Sequence, residues 1–223
     1  ATMTNAAQAI KGLHIDCRKD LFHEKYLVGG HPIAQWAGDL SDDAILMVRR
    51  AVRGCYGFDP GDQHARAGAT QLCLENQYDP LLQFLDGLQW DGVPRIDTWL
   101  TRYLRAADTA LNRAIGRISL VAAVRRARHP GCKFDQIIVL ESEEEGKGKS
   151  TAIEVLAGHG FFSDQQVLGL DEKTQQEAAI GIWLFEIADL KGLRRSDIEH
   201  VKAFASRKVD RARPAYGRFR VDK

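Results

Sequence analysis

Ile45, Val48, Val52 and Tyr56 recur at three- and four-residue intervals behind Ser41, with Asp42 and Asp43 immediately after the serine. This spacing predicts an amphipathic helix from Leu40 to Tyr56, with Ser41 as N-cap and acids in its first turn. Gly57 and Pro60 end it. Just before it, Lys25-Tyr-Leu-Val28 followed by Gly29-Gly30 reads as a short strand entering a turn. Two further helices are predicted at 65–76 and 80–88, the second opening on Pro80, which a first helical turn tolerates. Trp90-Asp-Gly-Val-Pro94 is a turn by composition, and helical spacing returns at 96–106 and 111–128. In the last of these, Ile115, Ile118, Leu120, Val121 and Val124 are expected to form the buried face. Arg113, Arg117, Arg125, Arg126 and Arg128 give the same helix its positive charge. The first 130 residues therefore read as a mainly helical block.

The pattern changes past His129-Pro-Gly131. Gln136-Ile-Ile-Val-Leu140 is an unbroken apolar run rich in β-branched residues, the signature of a buried parallel strand. A second run, Ile180-Gly-Ile-Trp-Leu-Phe185, ends at Glu186, and a helix is predicted between the two, from near Lys149 towards Ala157. A strand, a loop, a helix and a second strand make an α/β unit. The expected fold class is thus α/β: a helical N-terminal block at 1–134, then a partial nucleotide-binding α/β domain with a mainly parallel sheet at 135–223.

Composition narrows the function classes. The chain has 223 residues, 44% hydrophobic, 27% charged and 8% aromatic, which is globular and excludes collagen-like, low-complexity and disulfide-scaffold proteins. No stretch approaches the ~18 consecutive apolar residues of a membrane helix. Nor does Ala1-Thr-Met-Thr-Asn-Ala-Ala-Gln-Ala-Ile10 have the basic and long apolar segments of a secretory signal, so a cytoplasmic protein is expected. Cys17, Cys55, Cys73 and Cys132 have no metal-ligand spacing and read as reduced thiols. The net charge of +1 is unevenly spread: residues 191–223 hold 11 basic and 4 acidic side chains, while the rest of the chain is net acidic. A concentration of that kind points to a polyanionic partner.

The most informative segment is Ile137-Ile-Val-Leu-Glu-Ser-Glu-Glu-Glu-Gly146-Lys147-Gly148-Lys149-Ser150-Thr151. A predicted strand runs into a loop, and Gly-Lys-Ser opens a helix, which is the context of a phosphate-binding P-loop. Backbone N–H groups and the helix dipole would face an anion there, Lys149 would reach the β- and γ-phosphates of ATP, and the Ser150 hydroxyl would hold Mg²⁺. One position departs from the pattern: Glu143 stands where it calls for glycine, and Glu143, Glu144 and Glu145 would repel phosphate unless they face solvent. About 35 residues on, Trp183-Leu-Phe-Glu186-Ile-Ala-Asp189 ends an apolar run in carboxylates. Glu186 is the first candidate for the metal and Asp189 the second, and either would serve to orient an attacking water. Nearer the C-terminus, Lys202, Arg207, Arg211, Arg213 and Arg218 alternate with Phe204, Tyr216 and Phe219. Cations for phosphates and rings for stacking suit single-stranded DNA, although a solvated basic face has the same composition.

These segments together resemble the virulence-associated E family of phages, plasmids and pathogenicity islands. The resemblance is carried by Tyr78-Asp-Pro-Leu-Leu-Gln-Phe-Leu-Asp-Gly-Leu-Gln-Trp90-Asp-Gly-Val-Pro-Arg95-Ile-Asp-Thr-Trp-Leu100 and His129-Pro-Gly-Cys-Lys-Phe-Asp135. It continues through Phe161-Phe-Ser-Asp164, Phe185-Glu-Ile-Ala-Asp-Leu190, Lys202-Ala-Phe204 and Val209-Asp-Arg-Ala-Arg-Pro-Ala-Tyr-Gly217. It implies a P-loop ATPase similar to superfamily 3 helicases, acting in mobile-element replication with a primase as partner and a homohexameric ring as assembly. By that likeness Lys149 and Ser150 take the nucleotide roles and Glu186 the metal role, and the segment 202–220 contacts DNA. Members of the family continue into a further strand ending in a polar γ-phosphate sensor. No such strand follows Glu186 here, so an incomplete ATPase core and weak hydrolysis are expected. Two alternatives stand beside the motor: a non-catalytic DNA-binding or replication-partner module with a degenerate P-loop, and a P-loop ATPase that remodels protein.

Overall fold

The computed structural model describes residues 2–144, 146–158, 160–167, 170–187, 211–212 and 221–222. It is a mixed α/β structure in two compact units, 1–83 and 84–223. The composition change at residue 134 lies inside the second unit.

The first unit opens with helix α1 (Met3–Gly12), where the Thr2 side chain accepts the Asn5 N–H at 3.2 Å. Strands β1 (Asp16–Asp20) and β2 (Lys25–Gly29) form an antiparallel hairpin, followed by a 3₁₀ turn (His31–Trp36) and β3 (Gly38–Asp39). Helices α2 (Asp42–Tyr56) and α3 (Asp62–Glu75) and strand β4 (Gln77–Tyr78) complete the order, and helix α4 (Pro80–Gly87) runs across the division at residue 83. The α2 boundaries follow the local signals: the Ser41 side chain accepts the Ala44 N–H, and Gly57 takes the left-handed conformation at φ +73°.

The four strands form one sheet in the order β3-β2-β1-β4, antiparallel except that β1 and β4 run parallel. The expected helical block thus also carries a small mixed sheet. Only the Lys25 strand announces itself in sequence. β3 and β4 span two residues each, too short for a period-two pattern, and β1 is Asp-Cys-Arg-Lys-Asp with only Cys17 apolar. Its polar residues are satisfied individually: Lys19 lies 5.3 Å from the Tyr26 ring centroid, and buried Asp20 accepts the N–H and the Nδ1 of His23, both at 2.8 Å.

Ile10, Val28, Ile33, Ile45, Val48, Val52, Leu72 and the two thiols Cys17 and Cys73 form the core. Each fully buried aliphatic contributes about 1.5–3 kcal/mol relative to exposure. Cys17 and Cys73 are hydrogen-bonded to each other, which together with burial pushes the Cys17 thiol well above its usual range. All four cysteines are free. Helix α1 packs on α3 at Gly68, where a β-carbon would stand 2.9 Å from the Ala7 nitrogen. On the surface, the Arg49 guanidinium pairs with Asp59 through two hydrogen bonds and lowers that carboxyl to about 2.

The second unit contains α5 (Trp99–Leu104), α6 (Ala110–Arg128), α7 (Lys149–Ala157), β5 (Phe162–Ser163), α8 (Glu172–Ala179) and β6 (Leu184–Phe185). A separate two-residue antiparallel pair follows, β7 (Arg211–Ala212) with β8 (Val221–Asp222). The Trp90 to Pro94 turn is clamped by Asp91, which accepts two hydrogen bonds from Arg95 and one from the Val93 N–H. Helix α5 lies against α6 at Gly116, where a β-carbon would meet Trp99 at 2.8 Å. Phe84 packs on Phe161 and Trp183 with ring centroids 5.8 and 6.5 Å away, and the Trp183 indole donates to the Ala123 carbonyl at 2.9 Å. No helix among the described residues is long and apolar enough to cross a membrane.

Three expectations are corrected here. Residues 136–140 are not a strand: they are irregular, with Ile137 and Val139 exposed, because no described strand lies beside them to pair with. Among the described residues no mainly parallel sheet is formed. The second apolar run is a strand only at Leu184–Phe185, after a turn at Gly181, and its partner is the two-residue Phe162–Ser163 in a parallel pair. The expected buried face of α6 is turned outwards at Ile115, Ile118 and Val121, because the small residues Gly116 and Ala122 face inwards and let α5 approach closely.

Candidate functional site

The loop before α7 turns on two glycines. Gly146 has φ +72° and Gly148, the N-cap of α7, φ +75°, conformations that favour residues without a β-carbon. Nothing lies within 4 Å of where either β-carbon would be, so the backbone in front of the helix is open. Glu143 occupies an ordinary backbone conformation. Among the described residues, the non-glycine residues with positive φ are His14, Glu24 and Arg105. The glycine that the P-loop pattern calls for at 143 is therefore not needed here for backbone freedom. Glu143 and Glu144 are exposed, and Glu144 is paired with Lys147, which offsets one of the acids beside the loop.

The first residues of α7 then aim two side chains differently. The Lys149 ammonium donates to the Ser142 hydroxyl at 2.6 Å, and that hydroxyl donates to the Glu144 carbonyl, also at 2.6 Å. The lysine thus folds back over its own loop. Ser150 points the other way, donating to Glu186 Oε1 at 2.7 Å across 36 residues of sequence. Glu186 is delivered by β6: its N–H donates to the Ser163 carbonyl at 2.8 Å, one step beyond the parallel pair of β6 with β5. Thr151 is exposed on the first turn of α7.

Glu186 carries one unusual feature. Its second oxygen, Oε2, is buried and has no hydrogen-bond partner among the described residues. A buried acceptor without a partner carries a desolvation cost of about 1–3 kcal/mol, more when ionised, which a cation beside it would relieve. The donor set suits a hard cation. Ser150 Oγ and Glu186 offer oxygen only, which fits Mg²⁺, an ion that keeps several waters and takes one or two protein oxygens alongside phosphates. No group of three or more His, Cys, Asp or Glu converges among the described residues, so a cage made wholly of such side chains is absent there. The residues present therefore fit an ion shared with a phosphate ligand.

The structure brings together Gly146, Lys147, Gly148, Lys149, Ser150, Thr151 and Glu186 at one end of α7. Of the DNA candidates, Arg211 lies in the β7–β8 pair. Asp189, Lys202, Arg207, Arg213, Tyr216 and Arg218 lie outside the described residues. Two contributors had no signal in the sequence: Ser142, which engages Lys149, and Ser163, whose carbonyl seats Glu186. A serine in a glutamate-rich loop and a backbone carbonyl leave no pattern to read.

No curated protein matches the chain. Residues 85–223, more than half of its length and including every residue of this site, match the model of the virulence-associated protein E-like domain, and the chain therefore belongs to the virulence-associated protein E-like family.

Proposed function

We propose that this chain is a P-loop nucleotide-binding protein that takes Mg²⁺-ATP at the N-terminus of α7. The observation that carries the reading is the Ser150–Glu186 hydrogen bond, which joins the loop-helix segment to the acidic end of an apolar strand. Lys149 would leave Ser142 to pair with phosphate oxygens, the open backbone at Gly146 and Gly148 would admit them, and Ser150 and Glu186 would hold the metal. Bound Mg²⁺ neutralises charge on the phosphates and polarises them towards attack by water. As a mobile-element replication protein, the chain would couple this hydrolysis to movement on single-stranded DNA as the ATPase part of a helicase, with a primase as partner and a ring of copies as the working assembly.

The test is thermal. A ligand that binds only the folded state raises apparent stability by mass action. Millimolar Mg²⁺-ATP is expected to raise the melting temperature of the native chain, and ATP with chelator to raise it less. In Glu186→Gln the difference between the two conditions should vanish, because a neutral amide has lost the charge that attracts the metal. No shift with Mg²⁺-ATP at millimolar concentration would sink the nucleotide reading.

The charge of residues 191–223 favours a second reading, in which the chain is a DNA-binding module without turnover. Both readings place Arg211 and Arg213 against phosphate. Reversing both charges is expected to weaken single-strand binding and lower the slope of log K against log salt by about 1.4 or more, about 0.7 for each phosphate that is no longer neutralised. An unchanged affinity and slope would remove DNA contact from this segment.

A further inference from the structure

Trp90 is 78% exposed, more than any other large apolar side chain among the described residues. It is nevertheless held in place. Its indole N–H donates to the Val93 carbonyl at 3.2 Å, and the same carbonyl accepts from Arg95 at 3.3 Å. Arg95 in turn grips Asp91 through two hydrogen bonds and lies beside the Tyr103 hydroxyl on α5. Tyr103 is 56% exposed, and the Arg102 guanidinium stands 5.6 Å from its ring centroid. One guanidinium thus ties the Trp90 turn to a second exposed ring.

The charge of this stretch has one sign. Residues 84–130 hold eight arginines and four aspartates, with no lysine or glutamate. Each of the four aspartates is paired with an arginine of the same stretch. Arg102, on α5, and Arg105, which caps it, are exposed and have no carboxylate partner among the described residues. Guanidinium groups without counter-ions beside pinned, exposed rings match the two chemical parts of a single strand. Its phosphates pair with cations, and its unpaired bases stack on aromatic faces. A duplex satisfies only the first of these, because its bases are already stacked on one another.

We propose that the Trp90 turn and α5 form a stacking platform for single-stranded DNA, with bases on Trp90 and Tyr103 and phosphates on Arg102 and Arg105. This rests on the single-stranded partner of the proposed function, but it uses none of the residues that the proposed function gives to that partner. It adds a contact outside the basic C-terminal segment.

Binding of a labelled oligothymidylate of about 20 nucleotides to the full chain tests the platform. Trp90→Ala and Tyr103→Ala are each expected to weaken binding about tenfold, and Trp90→Phe, which keeps a ring, to weaken it less. Both side chains are exposed, so the variants should keep the circular dichroism of the native chain. Replacing Arg102 and Arg105 together by glutamine should lower the slope of log K against log salt by about 1.4, about 0.7 for each phosphate, while the two ring variants leave the slope unchanged. That division separates stacking from charge. Stacking on the indole should also quench tryptophan fluorescence on binding, and Trp90→Phe should remove most of the quench, since Trp36, Trp99 and Trp183 are less exposed. A native chain that binds the oligonucleotide, with Trp90→Ala and Tyr103→Ala binding it equally well, overturns the platform and leaves the C-terminal contact standing, to be read from Arg211 and Arg213. Equal losses in these two variants against a blunt duplex also overturn it, because stacking is then not what they removed. A native chain that does not bind the oligonucleotide overturns the platform together with the single-strand reading.

Discussion

Lys149→Ala is expected to abolish the rise in melting temperature that Mg²⁺-ATP gives the native chain, while leaving the secondary structure and the ligand-free melting temperature nearly unchanged. The second half of this expectation follows from the structure. Lys149 sits in the first turn of α7, and its ammonium makes a hydrogen bond to Ser142 in an exposed loop. An exposed side-chain bond of that kind contributes little to stability, and alanine is at least as good a helix former as lysine. The first half follows from charge. On the proposed reading, this lysine supplies the positive side chain closest to the phosphates, with Glu143 and Glu144 in the loop before it. A ligand present at a hundred times its dissociation constant stabilises the fold by about 2.7 kcal/mol. Removing a charge-assisted bond to phosphate, with the acids left unopposed, raises that constant by about a hundredfold or more and takes away most of the shift. A folded variant that keeps the full shift would show that the loop before α7 is not where the nucleotide binds.

The largest stability effect is expected at Gly68. A β-carbon there would stand 2.9 Å from the Ala7 nitrogen, 3.2 Å from its α-carbon and 3.3 Å from the Ala6 carbonyl carbon, all of them backbone atoms of α1 that cannot rotate aside. Gly68→Val must push α1 off α3, opening the packing beside Ile10 and Leu72. Overpacking of this kind costs about 3 kcal/mol, and the reduced burial on both helices adds to it. Gly54, in the last turn of α2, is the matched control. Nothing lies within 4 Å of its β-carbon position, so Gly54→Ala should gain about 0.5–1 kcal/mol from helix propensity and a less disordered unfolded chain. Urea titrations of the two variants should therefore move in opposite directions. A Gly68→Val chain as stable as the native one would show that α1 and α3 do not cross as closely as described.

Much of the local structure was legible in the sequence because the signals that set it act within one turn. Ser41 followed by two aspartates marks the start of α2 and Gly57 its end. Gly148 before Lys149 marks the start of α7, where a left-handed N-cap leads directly into helical residues. These are facts of capping and of φ, decided by neighbours one to four positions away. The candidate site was partly legible for the same reason. Lys149 and Ser150 follow their glycines, and Glu186 follows an apolar run, without any knowledge of what they touch.

The sequence by itself thus determined where α2 and α7 begin, which loop turns on glycine, and which residues are candidates for binding phosphate and magnesium. Only the tertiary structure decided that β1 and β4, separated by two helices, lie side by side, and that residues 136–140 have no described strand to pair with. It also decided that α6 buries Gly116 and Ala122 and turns its isoleucines outwards, and that Ser150 and Glu186 meet while one carboxylate oxygen stays buried and unpaired among the described residues. The physical reason is range. Capping and periodicity are properties of a few consecutive residues. Strand pairing, close helix crossing and a hydrogen bond spanning 36 residues depend on how distant segments fit, and a β-carbon's worth of space at Gly68 or Gly116 settles that fit without leaving any pattern in the residues around it.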